Sequence, residues 1–522
     1  MNNSNVGYPT QGDVIRFLYK AFGVLPEKRD PASELDERQR KNLQKALERL
    51  AAEDGTLEEN FGEMIRQLAY LVAGYVQSDG LNLAIGEVLF DLLDGYAQVF
   101  REDGTYLSKR ETMRWLVLER WAPAAAVAIA RQVTRFGLRY FAVLFPGEAT
   151  WFLPDLEGEK PLSPLTKVMR WIYETENVSQ TRFHYSQGDA CGTEIARERD
   201  LENAQNWTSG RNLPSAAALR WTFGRAFDAL PDTSDGSDSA RNSVRREGAQ
   251  MALFLARGAT YVTSEISDHF GREFLQRVCT DFKRILSLAL EDSLRAEAFI
   301  AELAQRESIS PRDPQLRDYA VDCWNKELAF RTREASAALI ELQATEKQGN
   351  GDVDKLVREY GALAVLPAIE YLRAAPTHEV PPTFLQALFD GLTLTEDADL
   401  TNDRIDAYAV KLEDWGAALM LPWMVPWLRF QVFYRKEDHP QAWDWISKAY
   451  EAARYRAGKR QYQIVNHYVE LAAKMNKKRD FKKGVGWARY IGLSIRWLRD
   501  KELTDENIDF AMEVLRRSRY SG

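Results

Sequence analysis

The stretch NWTSGRNLPS, Asn206–Ser215, reads as the end of one helix, a reversal of the chain and the start of another. Gly210 is placed to close the first helix in the left-handed conformation, which a residue without Cβ adopts at no steric cost. Pro214 turns the chain. Ser215 then stands as the N-cap of AAALRWTFGRAF, where its hydroxyl can accept from backbone amides that have no helical partner. Ala204 and Trp207, three residues apart, are expected on the buried side of the first helix.

Outward from this junction the helical period persists nearly throughout. Leu43, Leu47 and Leu50, and the segment IRQLAYLVAGYV from Ile65, repeat apolar residues at three- and four-residue steps. Strand candidates are short: Tyr140–Phe145 and Ala149–Phe152, the second in a loop flanked by Pro and Gly. The expected class is all-α, with at most a small hairpin. A chain of 522 residues exceeds what one core usually organises, so several domains or one extended helical array are expected. Composition breaks place an N-terminal helical domain at 1–145, a helix-turn-helix-like module at 146–230 and a linker at 231–245 that holds PDTSDGSDSARNS. A central helical region at 246–345 and a C-terminal region at 346–522 follow, the last opening on the polar EKQGNGDVD. In the C-terminal region Gln441–Ala457, Gln461–Met475, Phe481–Leu498 and Asp505–Ser518 read as successive helices joined by short polar turns. Stacked helical hairpins of α-solenoid or tetratricopeptide-like type are expected, although the diagnostic residues of a regular repeat of about 34 are not maintained.

The segment Leu165–Phe227 resembles the Xre, or lambda-repressor-like, helix-turn-helix family. LTKVMRWIYETENVSQTRF matches that family's first two helices, with Ser179 and Gln180 at its Ser/Thr-Gln pair and Phe183 facing inward, and Trp207 and Gly210 match the Trp-x-x-Gly that ends its recognition helix. Two departures stand out. Gln187–Arg197 lengthens the passage between the second and recognition helices. Aligning on Trp207 puts Asp200, Leu201 and Glu202 where family members commonly present Ser, Arg and Gln to base edges, which depletes the usual reading set. What the resemblance leaves as candidate nucleic-acid contacts is Asn203, Asn206 and Arg211, with Arg197 and Arg199 as phosphate ligands.

Charge points to a second candidate. The net charge is −8. Residues 441–522 carry 18 Lys and Arg against 10 Asp and Glu, a surplus of +8, which leaves −16 for residues 1–440. The densest part, KMNKKRDFKK, supplies Lys477, Lys478, Arg479, Lys482 and Lys483 as a patch able to neutralise phosphates. A solvated turn between helices has the same composition.

Catalytic and metal chemistry finds little support. His184, His269, His378, His439 and His467 lack the three- to five-residue spacing of a metal-binding helix. No serine sits in a G-x-S-x-G elbow, Gly484-Val485-Gly486 lacks a Walker lysine, and EDADLTNDRID does not follow the order of a calcium loop. Cys191, Cys279 and Cys323 are odd in number and far apart, the usage of reduced thiols. No cofactor and no metal are expected. MNNSNVGYPTQGD does not read as a secretory leader, and the apolar windows Ala122–Ala130 and Ala417–Leu428 are about half the roughly twenty residues of a spanning helix, so a cytoplasmic location without membrane contact is expected. The crowded aromatics Trp415, Trp423, Trp427, Phe430, Phe433 and Tyr434 must be covered, by neighbouring helices or in a partner-binding groove.

Two readings of function follow. One is a non-enzymatic, nucleic-acid-associated protein, regulatory or part of a bacterial defence-type assembly, which binds double-stranded DNA through the repressor-like module and acts as a dimer if it does so. The other is a helical-repeat scaffold that binds a protein partner or its own copies, with the helix-turn-helix retained for packing. An enzyme built from distant carboxylates is a third class, and the sequence names no residues for it.

Overall fold

The computed structural model describes residues 7–24, 37–51, 57–76, 79–102, 104–136, 145–146, 150–158, 161–185, 194–230, 237–344, 350–361, 364–365, 382–499 and 501–517. Six helices make the N-terminal part: α1 (Gln11–Phe22), α2 (Glu37–Ala51), α3 (Leu57–Ala73), α4 (Asp79–Glu102), α5 (Lys109–Trp115) and α6 (Ala122–Phe136). Between α5 and α6 a π-helical turn spans Leu116–Trp121. This wide turn comes directly before Pro123, whose missing N–H interrupts the i to i−4 ladder. The next segment contributes α7 (Pro164–Thr175), α8 (Gln180–His184), α9 (Glu194–Thr208) and α10 (Ala216–Asp228). Long helices follow: α11 (Ser237–Phe270), α12 (Arg272–Glu307) and α13 (Pro314–Ala344), then α14 (Asn350–Tyr360). The C-terminal part holds α15 (Pro382–Glu396), α16 (Asn402–Asp414), α17 (Met424–Arg435), α18 (His439–Ala453), α19 (Arg460–Lys474), α20 (Lys478–Tyr490) and α21 (Asp505–Arg517).

The protein is all-α. Among the described residues there is no strand, and isolated antiparallel bridges join Gly104 to Ala457 and Asp155 to Leu162. The strand expected at Ala149–Phe152 is a turn from Thr150 onward, in which Leu153 N–H donates to the Thr150 carbonyl at 2.9 Å. Of the strand expected at Tyr140–Phe145, residues 140–144 lie outside the described residues; Phe145 is at a bend, and its ring packs flat on Trp151 at 5.3 Å. Of the expected linker 231–245, residues 231–236 lie outside the described residues and those from Ser237 are helical.

The main apolar core takes residues from both ends of the chain, and smaller clusters lie along α6 and α11–α14. Phe100 of α4 stacks among Tyr455, Trp487 and Tyr490 at 5.1, 6.2 and 5.3 Å, and its carbonyl accepts from Gln461 Nε2 at 3.0 Å. Backbone bonds reinforce the joint: Tyr8 N–H to the Tyr455 carbonyl at 3.1 Å and Thr105 N–H to the Arg456 carbonyl at 3.0 Å. The C-terminal helices pack in sequence, α17 on α18, α18 on α19 and α19 on α20, and α21 returns onto α19. The helix expected at Phe481–Leu498 is α20 and ends at Tyr490, because Gly492 adopts φ +81° and Leu493 N–H returns to the Ala488 carbonyl at 2.7 Å.

The α7–α10 segment is fastened to this body at several points. Arg257 of α11, only 7% exposed, donates from Nε to the Pro214 carbonyl at 3.0 Å and from Nη1 to the carbonyls of Lys20 and of Ala21, the latter at 2.5 Å. The cation thus sits against the C-terminal carbonyls of α1, where the helix dipole favours it. Beside it Ala216 N–H, at the start of α10, donates to the Gly23 carbonyl at 3.1 Å. Arg220 reaches the Gly74 carbonyl at 2.9 Å, and Leu165 N–H reaches Thr260 Oγ1 at 2.9 Å.

Candidate functional site

Local chemistry builds α7 to α10 as the sequence implies. Ser163 caps α7 through Thr166 N–H (3.1 Å), Ser179 caps α8 through Arg182 N–H (3.2 Å) and Ser215 caps α10 through Ala218 N–H (3.1 Å). Gln180, beside the cap, donates from Nε2 to Thr208 Oγ1 at 3.2 Å and so ties α8 to the end of α9. Phe183 is fully buried against Tyr173, Phe223 and Phe227 at 5.3–5.7 Å. Gly210 has φ +71°, with its own N–H on the Trp207 carbonyl (3.1 Å) and Arg211 N–H on the Asn206 carbonyl (3.0 Å). Those two bonds are the pair that closes a helix in the Schellman arrangement.

The face of α9 differs from the alignment. Asp200, expected beside Leu201 and Glu202 at positions that meet base edges, points inward with Ala204 and Trp207; it is 6% exposed and ion-paired to Arg225 of α10. The spacing 200, 204 and 207 is one helical face, and Trp207 fixes it as the buried one. The outward ridge carries Glu198, Glu202 and Gln205, all exposed. Glu194, also exposed, accepts from the Tyr185 hydroxyl at 3.1 Å. Of the candidate contacts on α9, Arg199 and Arg211 are exposed, and Asn203 and Asn206 are half-buried. Asn206 Oδ1 accepts from Arg211 Nη1 at 3.3 Å. Arg197 is half-buried, with its guanidinium 5.5 Å from the Tyr185 ring. The lengthened passage ahead of α9 falls mostly outside the described residues, and the helix itself has begun by Glu194.

The basic C-terminal residues belong to a different part of the fold. α9 packs on α7 and α8, whereas α20 packs on α19, α21 and α3. Lys478 Nζ is 2.8 Å from Asp509 and 3.6 Å from Asp505, and its hydrogen bond to Asp509 raises its pKa above the ordinary lysine value. Lys483 lies 2.5 Å from Glu451, which also takes Arg454 at 2.6 Å. Burial pushes the Glu451 carboxyl up, and those two cations outweigh it and hold it below its usual range. Lys477 sits 5.1 Å over the Trp443 ring. Arg479 is exposed and Lys482 half-buried. Lys478 and Lys483 are therefore paired to carboxylates of the same chain, Lys478 at the exposed surface.

Three groups escaped sequence reading. Arg257 is one, since its acceptors lie far away in the chain. His184 is the second: it is 4% exposed, its Nε2 is 2.9 Å from the Tyr173 hydroxyl, and Nδ1 has no hydrogen-bond partner among the described residues. Burial lowers its pKa to about 3. The third is Glu470, which gathers Tyr434, Lys474 and His467. The crowded aromatics turn inward: Trp423, Trp427 and Phe430 are buried, and Trp415, Phe433 and Tyr434 are half-buried against the same core. Among the described residues no group of three or more His, Cys, Asp or Glu could hold a metal ion, and no helix is long and apolar enough to cross a membrane. Cys279 and Cys323 carry free thiols.

No protein family matches the chain, and neither the curated proteins nor the solved structures include a significant match.

Proposed function

We propose that this is a non-enzymatic helical scaffold that binds a protein partner, with a repressor-like helix-turn-helix kept as a packing module and a solenoid-like C-terminal stack. The observation that carries this reading is the outer ridge of α9. A helix that enters a groove presents its outward ridge most deeply, and here that ridge offers Glu198 and Glu202, two carboxylates that phosphates repel. The internal pairing of Lys478 and Lys483 supports it from the other candidate surface. The fastening of α10 to α1 and α11 through Arg257 and Gly23 supports a packing role for the module.

A second reading keeps DNA as the ligand. It is favoured by one flank of α9 and its exit, where Arg199 and Arg211 are exposed and Asn206 lies between acidic ridge and core. Fluorescence anisotropy with mixed-sequence duplex and single-stranded DNA at low and moderate salt separates the two. The scaffold reading expects no saturable binding, and the DNA reading expects salt-sensitive binding that Asn203→Ala/Asn206→Ala abolishes.

A further inference from the structure

Helix α4 packs on α3 and α6 and leaves one face open. Leu83 and Phe90, 53% and 66% exposed, stand seven residues apart, so they share that face about two turns from one another. Positions i, i+3, i+4 and i+7 of a helix frame the hole that receives a side chain from a helix laid alongside. Here the four are Leu83, Gly86, Glu87 and Phe90, two exposed apolar walls, a carboxylate and a floor without a side chain. A Cβ built on Gly86 meets no side chain and no other part of the chain within 4 Å, so the floor is open. Glu87 accepts from Gln132 Nε2 of α6 at 2.9 Å, which fixes it at the edge of the hole. The same face is acidic, because Asp91 and Asp94 are exposed and follow Phe90. Partial desolvation raises the Asp91 carboxyl above its ordinary value; Arg131 of α6 lowers it, and Glu87 and Asp94 raise it again. The three carboxylates thus lie close enough to repel one another, with Arg131 offsetting part of their charge.

The sign of this charge selects the occupant. Phosphates of a nucleic acid or of an anionic membrane are repelled. A second copy docked through the same face would bring these carboxylates against their own counterparts, since a two-fold contact repeats one patch on both sides. A cationic protein segment meets no such penalty. We propose that this face of α4 docks a cationic amphipathic helix of a partner protein, with an apolar side chain of that helix seated on Gly86 between Leu83 and Phe90 and its lysines or arginines against Glu87, Asp91 and Asp94. The apolar contact supplies the anchor, and the charges supply orientation and choice of partner. The proposal rests on the scaffold reading and names where, and by what chemistry, the partner is held.

Fluorescence anisotropy on the full chain tests it, with a labelled synthetic Lys/Ala helix of about twenty residues that carries leucine at every seventh position. A Glu/Ala helix with the same leucines and a Lys/Ala helix without them are the controls. The expected result is saturable, salt-sensitive binding of the first helix, weaker by about tenfold or more for both controls. Gly86→Leu fills the hole, has open space to do so and replaces a poor helix former by a good one. Its fold should stand by circular dichroism while binding falls by about tenfold or more. Asp91→Asn/Asp94→Asn should weaken binding and flatten its salt dependence. Glu198→Gln/Glu202→Gln, on α9 in a separate part of the fold, should leave binding within about twofold. No saturable binding at concentrations approaching millimolar, equal binding of the Glu/Ala helix, or an unchanged Gly86→Leu overturns the proposal. None of those results bears on nucleic acid at α9, so the duplex measurement judges the scaffold reading separately.

Discussion

Replacing Asp200 by Ala tests which face of α9 is buried. In the structure this carboxylate has a side chain 8% exposed and is paired to Arg225, 19% exposed, whose guanidinium also lies 5.2 Å over the exposed Trp221 ring. Removing one member of a fully buried pair costs about 3–5 kcal/mol, because the other charge stays desolvated. Arg225 is partly solvated and stacked, so the expected cost is nearer 2 kcal/mol. At about 1.4 kcal/mol per factor of ten, that is roughly thirtyfold faster opening of the helix. Global unfolding of so long a chain need not be two-state, so the assay is local. Hydrogen–deuterium exchange of peptides covering α9 should lose about thirtyfold protection in Asp200→Ala, while Glu202→Gln, on the exposed ridge, stays within threefold of the parent. The double variant Asp200→Ala/Arg225→Ala should recover part of the loss, as the unpaired charge is gone. Unchanged protection in Asp200→Ala, or an equal loss in Glu202→Gln, refutes the assignment of faces.

Three further outcomes are expected. His184 is held neutral in the fold with a pKa of about 3, whereas the unfolded chain takes up a proton below about 6.5. Protection of α7, α8 and α10 should therefore fall as pH drops from about 6.5 towards 3, by about 1.4 kcal/mol per unit, and His184→Gln should flatten this slope in exchange measured across that range. Glycine substitutions should separate backbone cost from collision: Gly210→Ala meets open space and should cost about 1 kcal/mol for its positive φ. Gly23→Ala places a Cβ 2.5 Å from the Arg257 guanidinium and should lower the melting temperature distinctly more. Arg257→Ala removes the Arg257 donor from the Ala21 and Pro214 carbonyls, while the Lys20 carbonyl keeps the Gly23 N–H, at about 1–3 kcal/mol for each carbonyl left unpaired if no water replaces it. Exchange should then quicken together at the end of α1 and the start of α10, and Arg257→Lys should not restore it, because a point charge does not reproduce the fork.

Short-range demands were the legible ones. Gly210, Ser215, Ser179 and Trp207 each answer a requirement set within a few residues, a left-handed cap, an orphan amide or one helical face, and the structure meets each of them locally. The C-terminal helices were readable for the same reason, except where Gly492 stops α20 early. Asp200 departs from the motif's register: its spacing from Ala204 and Trp207 puts all three on one helical face, and that face is buried. The basic run could not be read at all from its own composition. The carboxylates that neutralise Lys478 and Lys483 lie about thirty residues away, on α21 and α18. Arg257 was further out of reach, since two of its acceptors are more than two hundred residues distant.

If the outward ridge of α9 repels nucleic acid, reversing its charge should admit it. Anisotropy of labelled mixed-sequence duplex is measured with the parent chain, Glu198→Lys/Glu202→Lys, Asn203→Ala/Asn206→Ala and Lys477→Ala/Lys478→Ala, at about 50 and about 200 mM salt. The account predicts no saturable binding by the parent or the lysine-to-alanine variant, and new binding by the charge-reversed chain whose log affinity falls with log salt at a slope near −1.8, the value for about two phosphate contacts. Salt-sensitive binding by the parent at low salt, lost in Asn203→Ala/Asn206→Ala or in Lys477→Ala/Lys478→Ala, contradicts it.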